Sequence, residues 1–250
     1  MADAGSVKAP MREGYVRNVG ATGVNLVARS YVADFSEQWF NPEFWAERAV
    51  PVTKGGRGSA WFVHSPVGDL VLRQFSRGGL PGRFIRSEYV YTGEDRVRSF
   101  AEFRLLDQLY RQGFPVPEPV AAGYQRQASL FYRASIIIRR IPGAAPLTDY
   151  SGADCLRVWK AAGGCVRRFH DARVYHADLN CMNILVAGRA VYLIDFDRGK
   201  IVPLMQGDRW KAENIGRLQR SVTKCLGDVD DSLRLRLWQA FMAGYEGGGQ

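Results

Sequence analysis

One run of residues constrains this chain more than any other: His176-Ala177-Asp178-Leu179-Asn180-Cys181-Met182-Asn183, followed directly by the apolar stretch Ile184-Leu185-Val186. A carboxylate and a side-chain amide stand five residues apart in a loop that feeds a strand. Gly188 marks a turn, and a second apolar run, Val191–Ile194, ends on Asp195-Phe196-Asp197-Arg198-Gly199. Two short apolar runs joined by a glycine turn predict a β-hairpin. Asn183 and Asp195, twelve positions apart, then lie at the same open end of it. A carboxylate at the end of a buried strand needs a neutralising partner. A magnesium ion carrying nucleotide phosphates supplies one, and so does an arginine. In this loop Asp178 has the chemistry to take a proton from a hydroxyl, and Asn183 to hold a divalent ion. A pair of Asx turns closing the loop is the purely structural reading.

The rest of the chain arranges itself around that hairpin. Asn41-Pro42 reads as a cap and a first-turn proline before a short helix, EFWAERA. Lys54-Gly55-Gly56-Arg57-Gly58-Ser59 is a glycine-rich turn whose amides can approach phosphate oxygens, or simply connect two strands tightly. Ala60–His64 and Leu70–Phe75 form a hairpin, and a basic loop follows from Ser76 to about Arg98. Phe100, Phe103, Leu106, Leu109 and Tyr110 have helical spacing over 99–112, and Gly113 ends the helix. Val120–Gln127 and Leu130–Arg139 read as strands, and Ile141-Pro142-Gly143 as a connector. Helices are predicted over 153–171, 209–224 and 230–245. Strands lead and helices follow, which predicts an α+β arrangement in two lobes. The expected division is a flexible tail at 1–13, a mostly β N-lobe at 14–140 and a mostly helical C-lobe at 141–250.

Composition narrows the partners. The formal net charge is +9, and 28 of the 34 basic residues are arginine, whose planar fork suits phosphates and carboxylates. That leaves open nucleic acid, an anionic membrane surface, a phosphorylated substrate, or genomic base bias alone. The 46% hydrophobic content supports a packed core and excludes wholesale disorder. No apolar run approaches membrane-spanning length, the first residues do not read as a secretory signal, and no repeat period is present. The four cysteines lack CxxC spacing and the three histidines are dispersed, so free thiols and no metal cluster of that kind are expected.

A glycine turn, a hairpin, a helix carrying Glu102, HxDLxxxN and a short hairpin ending in IDFD follow the order of phosphotransferases. More narrowly, YHADLNCMNILV and YLIDFDRGKI, with GGRGSAWFV, LVLRQFSRGGLPGRF, FAEFRLLDQLYRQGFPVPEPVAAG and NIGRLQRSVTK, resemble the 3-deoxy-D-manno-octulosonic acid (Kdo) kinases of the lipopolysaccharide kinase family. The likeness spans about residues 50 to 225. It implies a protein-kinase-like fold. It also implies ATP-dependent phosphorylation, with Mg2+, of the 4-hydroxyl of Kdo on a lipid A precursor, by a peripheral protein on the cytoplasmic side of the bacterial inner membrane. It implies Asp178 as the catalytic acid/base residue and Asn183 and Asp195 as magnesium ligands. Gly55, Gly56, Gly58 and Ser59 would lie over the nucleotide phosphates, and Glu102 would orient a cation on the third strand. That cation departs from the protein-kinase pattern: Arg73 stands where a lysine is usual. Ala177 replaces the arginine that reads a phosphorylated activation loop, and the Arg209 helix follows Asp195 closely, which disfavours a regulated protein kinase. Asp197 stands where DFG has glycine, as a second metal contact or a capped turn.

Several further residues carry expectations. His176 is expected to bond nearby backbone, and His170 to act as a helix-terminal cation. Seven arginines between Arg73 and Arg104, interleaved with Phe75, Phe84, Tyr89 and Tyr91, form either a lipid-facing surface or a solvated face. Backbone at Arg139-Arg140 is expected to meet adenine, with solvated side chains. Phe35, Trp39, Phe40, Phe44 and Trp45 are expected in the core rather than in a membrane. The competing functions are a kinase for another glycolipid sugar such as heptose, and a non-catalytic kinase-like module that binds anionic lipid. No nucleic-acid-reading motif and no required protein partner is evident.

Overall fold

The computed structural model describes residues 13–21, 23–52, 59–75, 89–127 and 131–247. Strands β1 (Tyr15–Val19), β2 (Val24–Ala28), β3 (Ala49–Pro51), β4 (Ala60–Ser65), β5 (Gly68–Gln74), β6 (Tyr89–Val90), β7 (Pro119–Gln127) and β8 (Phe131–Arg139) make one antiparallel sheet. Its order is β1-β2-β7-β8-β5-β4-β3, with β6 paired to β8. The four strands expected from sequence are present, and β1, β2, β3 and β6 are additional. Their signal is weak for physical reasons. β3 and β6 are three and two residues long, and β2 is interrupted by Asn25. That asparagine tolerates burial because its Nδ2 donates to Glu37 Oε1 at 2.9 Å. Of the basic loop expected from Ser76 to about Arg98, residues 76–88 lie outside the described residues, as does the expected tail at 1–13 but for Glu13; the rest of that loop contains β6.

Helix α1 (Pro42–Trp45) begins as expected, with Asn41 Oδ1 accepting from the Glu43 amide at 3.1 Å. It stops after one turn because Ala46 takes φ +47°. Of the aromatic residues expected in the core, Trp39 and Trp45 are, Phe35 and Phe40 are half-buried against it, and Phe44 is exposed. Trp39 and Trp45 are buried with ring centroids 5.5 Å apart, and Trp45 Nε1 donates to the Trp39 carbonyl at 3.0 Å.

Helix α2 (Arg98–Arg111) lies on the sheet with Phe100, Phe103, Leu106 and Leu109 fully covered. Gly113, at φ +74°, ends it: its amide bonds Tyr110 O at 2.9 Å and the Phe114 amide bonds Leu109 O at 3.0 Å. This is the double reverse bond of a Schellman cap, which favours glycine at that point. Glu102 is also buried on this helix, facing the sheet's Arg73.

The second half is mostly helical: β9 (Ala145–Pro146), α3 (Leu156–Asp171), β10 (Val174–Tyr175), β11 (Ile184–Ala187), β12 (Ala190–Leu193), β13 (Lys200–Ile201), α4 (Arg209–Cys225) and α5 (Asp231–Gly247). β11 and β12 form the predicted hairpin with Ile184 opposite Leu193, and β9 adds to its other edge. Helices α3 and α5 cross backbone to backbone. A Cβ on Gly163 would stand 1.9 Å from Phe241 O, and one on Gly244 would stand 1.9 Å from Lys160 O. Cys155, Cys165, Cys181 and Cys225 are free thiols.

His170 is not the expected helix-terminal cation. It is only 1% exposed, stacked edge-on against Trp210 and Tyr245, with Nδ1 2.7 Å from the Tyr245 hydroxyl. Burial pushes its pKa down to about 4, so the ring is neutral at pH 7. The unfolded chain binds this proton near pH 6.5 while the folded one refuses it, so stability from this group is present above pH 6.5 and falls toward pH 4. That shift corresponds to roughly 3 kcal/mol. His170→Phe, which keeps the ring but not the titration, is expected to flatten the decline in unfolding free energy between pH 6.5 and 4 in denaturant melts.

Candidate active site

Arg73 on β5 is the central side chain. One guanidinium nitrogen donates to Glu102 Oε2 on α2 and the other to Asp195 Oδ1 beyond β12. The guanidinium also sits 4.8 Å over the Phe75 ring. Burial alone would lower the Arg73 pKa, but the charges of Glu102 and Asp195 more than reverse this and hold it above its ordinary value. The glutamate feels the opposite balance: burial, opposed by Arg73 and aided by Asp195, pushes Glu102 up to about 7. Arginine stays charged at any physiological pH, and its contact with both acids keeps the trio a net anion once Glu102 ionises. The arginine that replaces lysine therefore pairs with Glu102, as expected, and its fork also spans to Asp195.

The segment after β12 is fixed from several sides. Asp195 takes φ +63°, a left-handed conformation that a non-glycine residue holds only when its surroundings impose it. Phe196 is fully buried, 4.8 Å from the His176 ring. Asp197 faces Arg98, the first residue of α2, with Arg98 Nε 2.8 Å from Asp197 Oδ1 and Nη2 on Oδ2. The sequence leaves Asp197 as a metal contact or a capped turn; the structure shows both of its oxygens paired with Arg98. Arg73 and Arg98 likewise turn inward, which removes them from the proposed lipid-facing arginine surface, whereas Arg104 makes a surface ion pair with Asp95 at 3.0 Å. Arg77, Arg83 and Arg86 lie outside the described residues.

The loop 176–183 is held by a helix that sequence reasoning did not connect to it. Asn214 of α4 is buried; its Oδ1 accepts from the His176 amide at 3.3 Å and its Nδ2 donates to the His176 carbonyl at 3.1 Å. Seven residues on, two turns along the same face, Ser221 Oγ accepts from the Cys181 amide at 3.0 Å. A polar pair at that spacing inside an otherwise amphipathic helix was the available signal. His176 is structural, as expected. Its Nε2 is 2.9 Å from Ile194 O, and its Nδ1 accepts the Asp178 amide at 3.2 Å. Those partners fix the neutral tautomer with the proton on Nε2. Burial lowers its pKa further.

Inside the loop, Asn180 Oδ1 accepts from the Met182 and Asn183 amides, and its Nδ2 bonds Asp178 Oδ2 at 3.1 Å. Asp178 Oδ1 has no partner among the described residues. Asn183 spends its Nδ2 on the Asp178 carbonyl at 2.9 Å, which leaves its Oδ1 as an unused acceptor. The Ile194 amide bonds Asn183 O at 3.0 Å, so the hairpin does bring Asn183 and Asp195 to one end. Asp195 Oδ2 is likewise unused among the described residues. Two hard oxygen donors on residues brought to one end of the hairpin are of the chemistry that Mg2+ takes.

Gly55, Gly56 and Gly58 lie outside the described residues. Ser59 stands half-buried at the start of β4, its carbonyl accepting from the Gln74 amide at 2.8 Å. The expectation at Arg139-Arg140 is narrowed. Their amides are engaged by Glu118 O at 2.8 Å and Asp69 O at 2.9 Å, so of the backbone groups expected to meet adenine the two amides are not free donors. Their side chains are not merely solvated: Arg139 bonds the Tyr31 hydroxyl at 3.0 Å, and Arg140 lies 3.9 Å over Phe62.

A cleft of about 410 Å³ opens beside Asp178, lined by Tyr175, Ala177, Asp178, Arg198, Lys200 and Arg217. Cα partners Tyr175 and Lys200 face each other across β10–β13, with the ammonium 5.8 Å over the ring.

Known proteins match this arrangement. The profile of the lipopolysaccharide kinase (Kdo/WaaP) family matches residues 42–245. The chain belongs to that family. A Kdo/WaaP relative from Xanthomonas oryzae pv. oryzae (strain PXO99A), named 3-deoxy-D-manno-octulosonic acid kinase, is 43% identical over 96% of this chain and 95% of its own length. Among solved structures, WaaP in complex with acyl carrier protein superposes with TM-score 0.55 at 12% identity, covering 87% of this chain and 88% of that one. Amicoumacin kinase hAmiN in complex with AMP-PNP, Ca2+ and Ami superposes with TM-score 0.61 at 11% identity, covering 89% and 80%. The Kdo/WaaP chain thus has the expected α+β, protein-kinase-like fold.

The bridge generates a prediction. Arg73→Ala strands a buried carboxylate and releases Asp195, and is expected to lower kcat/KM by about 10²–10³-fold. Arg73→Lys restores only part, since one ammonium cannot fork between two carboxylates. Steady-state phosphoryl transfer, with Tm measured in parallel, checks both; an Arg73→Ala protein of full activity would show the bridge to be dispensable.

Proposed function

We propose that this protein transfers the γ-phosphoryl group of ATP to the 4-hydroxyl of the Kdo residue on a lipid A precursor. The observation that carries the reading is the convergence of Asp178, Asn183 and Asp195, backed by the Arg73–Glu102 pair. A binding module needs none of these. The family's Kdo kinases supply the acceptor class. Ser59 and the glycine turn before it are assigned to the nucleotide phosphates, together with Arg73.

In this reading, Asn180 ties down one oxygen of Asp178 and leaves the other to orient the acceptor hydroxyl and take its proton. The bond from the γ-phosphorus to the bridging oxygen breaks, ADP leaves, and the new bond forms at the sugar oxygen. Mg2+, held by Asn183 Oδ1 and Asp195 Oδ2, would supply positive charge against the phosphate oxygens. The Asn214 and Ser221 contacts hold the loop in place before substrate arrives, so little ordering remains to be done at the moment of reaction.

The reading places the protein on the cytoplasmic face of the inner membrane as a peripheral protein. Two facts support peripheral contact. No helix among the described residues is long and apolar enough to cross a membrane. Leu204 and Met205 are 84% and 98% exposed on a turn that Arg173 holds through Val202 O, Pro203 O and Gln206 O. Val202 and Gln206 of that turn line a second hollow whose walls include Tyr175 and Lys200, so the apolar tips stand beside the basic cleft. Apolar side chains displayed on a fixed turn next to cations suit an anionic bilayer.

Asp178→Ala is expected to lower transfer by about 10²–10⁴-fold while leaving ATP affinity intact. Mass analysis of Kdo-lipid and heptosyl-lipid acceptors after reaction locates the new phosphate; near-wild-type turnover in the variant, or phosphate on heptose alone, would sink the assignment. Leu204→Asp with Met205→Asp is expected to weaken co-sedimentation with phosphatidylglycerol vesicles by about thirtyfold or more, at about 1 kcal/mol or more per side chain. Turnover on a soluble Kdo acceptor is expected to stay unchanged in that variant.

A further inference from the structure

The basic cleft beside Asp178 has more positive charge than the fold uses. Of its six lining residues, Arg198, Lys200 and Arg217 are cations and Asp178 is the one acid. Among the described residues neither Lys200 nor Arg217 has an ion-pair partner. Arg198 has only a 3.9 Å approach from its Nε to Asp197, whose oxygens Arg98 already occupies, and its side chain is 74% exposed. Arg198 also holds φ +60°, a conformation that costs energy for a residue with a Cβ. Three like charges around one hollow repel one another, and among the described residues the single carboxylate of Asp178 in the lining cannot balance all three.

The anion they await is not the nucleotide. The residues assigned to ATP and Mg2+ (Ser59, Arg73, Glu102, Asn183, Asp195) are absent from the cleft's lining. The cleft meets that site only at Asp178, the residue that faces the acceptor. Its volume of about 410 Å³ is in the range of sites for single small molecules, not for acyl chains.

We propose that Arg198, Lys200 and Arg217 form a subsite for the carboxylate of the acceptor sugar. This deepens the Kdo kinase reading and rests on it. The acceptor is a sugar acid, so its negative charge is fixed to the same small molecule as the hydroxyl to be phosphorylated. Gripping the carboxylate therefore sets the distance of that hydroxyl from Asp178. Arginine binds a planar carboxylate through two parallel bonds, which fixes orientation as well as position. Tyr175 forms the floor on which Lys200 rests. The same cations reject neutral sugars, because without the carboxylate they stay uncompensated beside the base.

The test uses the full chain and three acceptors: the Kdo-lipid A precursor, the same lipid with its Kdo carboxyl converted to the amide, and the same lipid stripped of its lipid A phosphates. Wild-type kcat/KM is expected to fall at least tenfold on the amide and to change little on the dephosphorylated lipid. Arg217→Gln and Lys200→Met are each expected to lose tenfold or more on the acid and little further on the amide, with KM for ATP unchanged. All three cations sit at the surface of the cleft, so melting curves that match wild type are expected and separate this loss from misfolding. Equal use of acid and amide by the wild type would overturn the proposal while leaving the kinase reading standing. So would variants that lose the same factor on both acceptors, or a loss confined to the dephosphorylated lipid, which would assign the cations to lipid phosphate. No turnover on any Kdo acceptor would overturn the kinase reading and this subsite with it.

Discussion

The fork of Arg73 joins three parts of the molecule that sequence separates widely. It reaches from a central strand to a helix 29 residues on and to the end of a hairpin 122 residues on. A single point charge would have to choose between the two acids; a planar guanidinium serves both. The helix answers with a second link one turn earlier, where Arg98 holds Asp197. The Phe196 amide also favours the charged form of the Glu102 carboxylate. Residues 195–197 are thus gripped along one face of α2, and the left-handed backbone at Asp195 is the conformation that grip requires. Any movement of α2 against the sheet would be transmitted to the proposed metal-binding carboxylate.

The opposite wall of the site is organised by polar groups rather than by charge. Asn214 and Ser221 satisfy backbone groups of a loop that has no regular partner of its own, which is what a buried irregular segment demands. His176 completes the frame by linking the loop to the Ile194 carbonyl just before Asp195. Its burial keeps it neutral, so it is a fixed bracket rather than a base. The acid Asp178 is the exposed member of the set, with one oxygen held and one open.

What could be read in advance follows from how local each signal is. The loop 176–183 and the turn after β12 were legible because their chemistry needs particular residues a few positions apart. Helices α2 and α3 were legible through their apolar period, and α4 and α5 were expected at the positions where they stand. Strands β1 and β2 were not, since a five-residue strand carries little pattern and β2 hides its polar Asn25 behind a contact with Glu37. The ion pair of Asp197 was missed, and His170 and the side chains of Arg139 and Arg140 were misread, for one shared reason. Each is decided by a partner that spacing does not reveal, such as Arg98 for Asp197, 99 residues away, or Tyr245 for His170, 75 residues away. The arginine fork on β5 was legible only in part. Its pairing with Glu102 was expected, whereas its second arm to Asp195 emerged from the fold.

The glycine crossing of α3 and α5 bears on the order in which the molecule is made. Trp159, Val166 and Phe169 of α3 lead into β10 and the loop that carries Asp178, and α5 covers that helix through Phe241 and Gly244. The sheet of the first half and α2 can close as soon as β8 has been synthesised. The frame around Asp178 has no such early completion: α3, which leads into it, stays uncovered on the α5 side until residues 231–247 emerge from the ribosome. The sheet and α2 can therefore close during synthesis while the loop that carries Asp178 is still open.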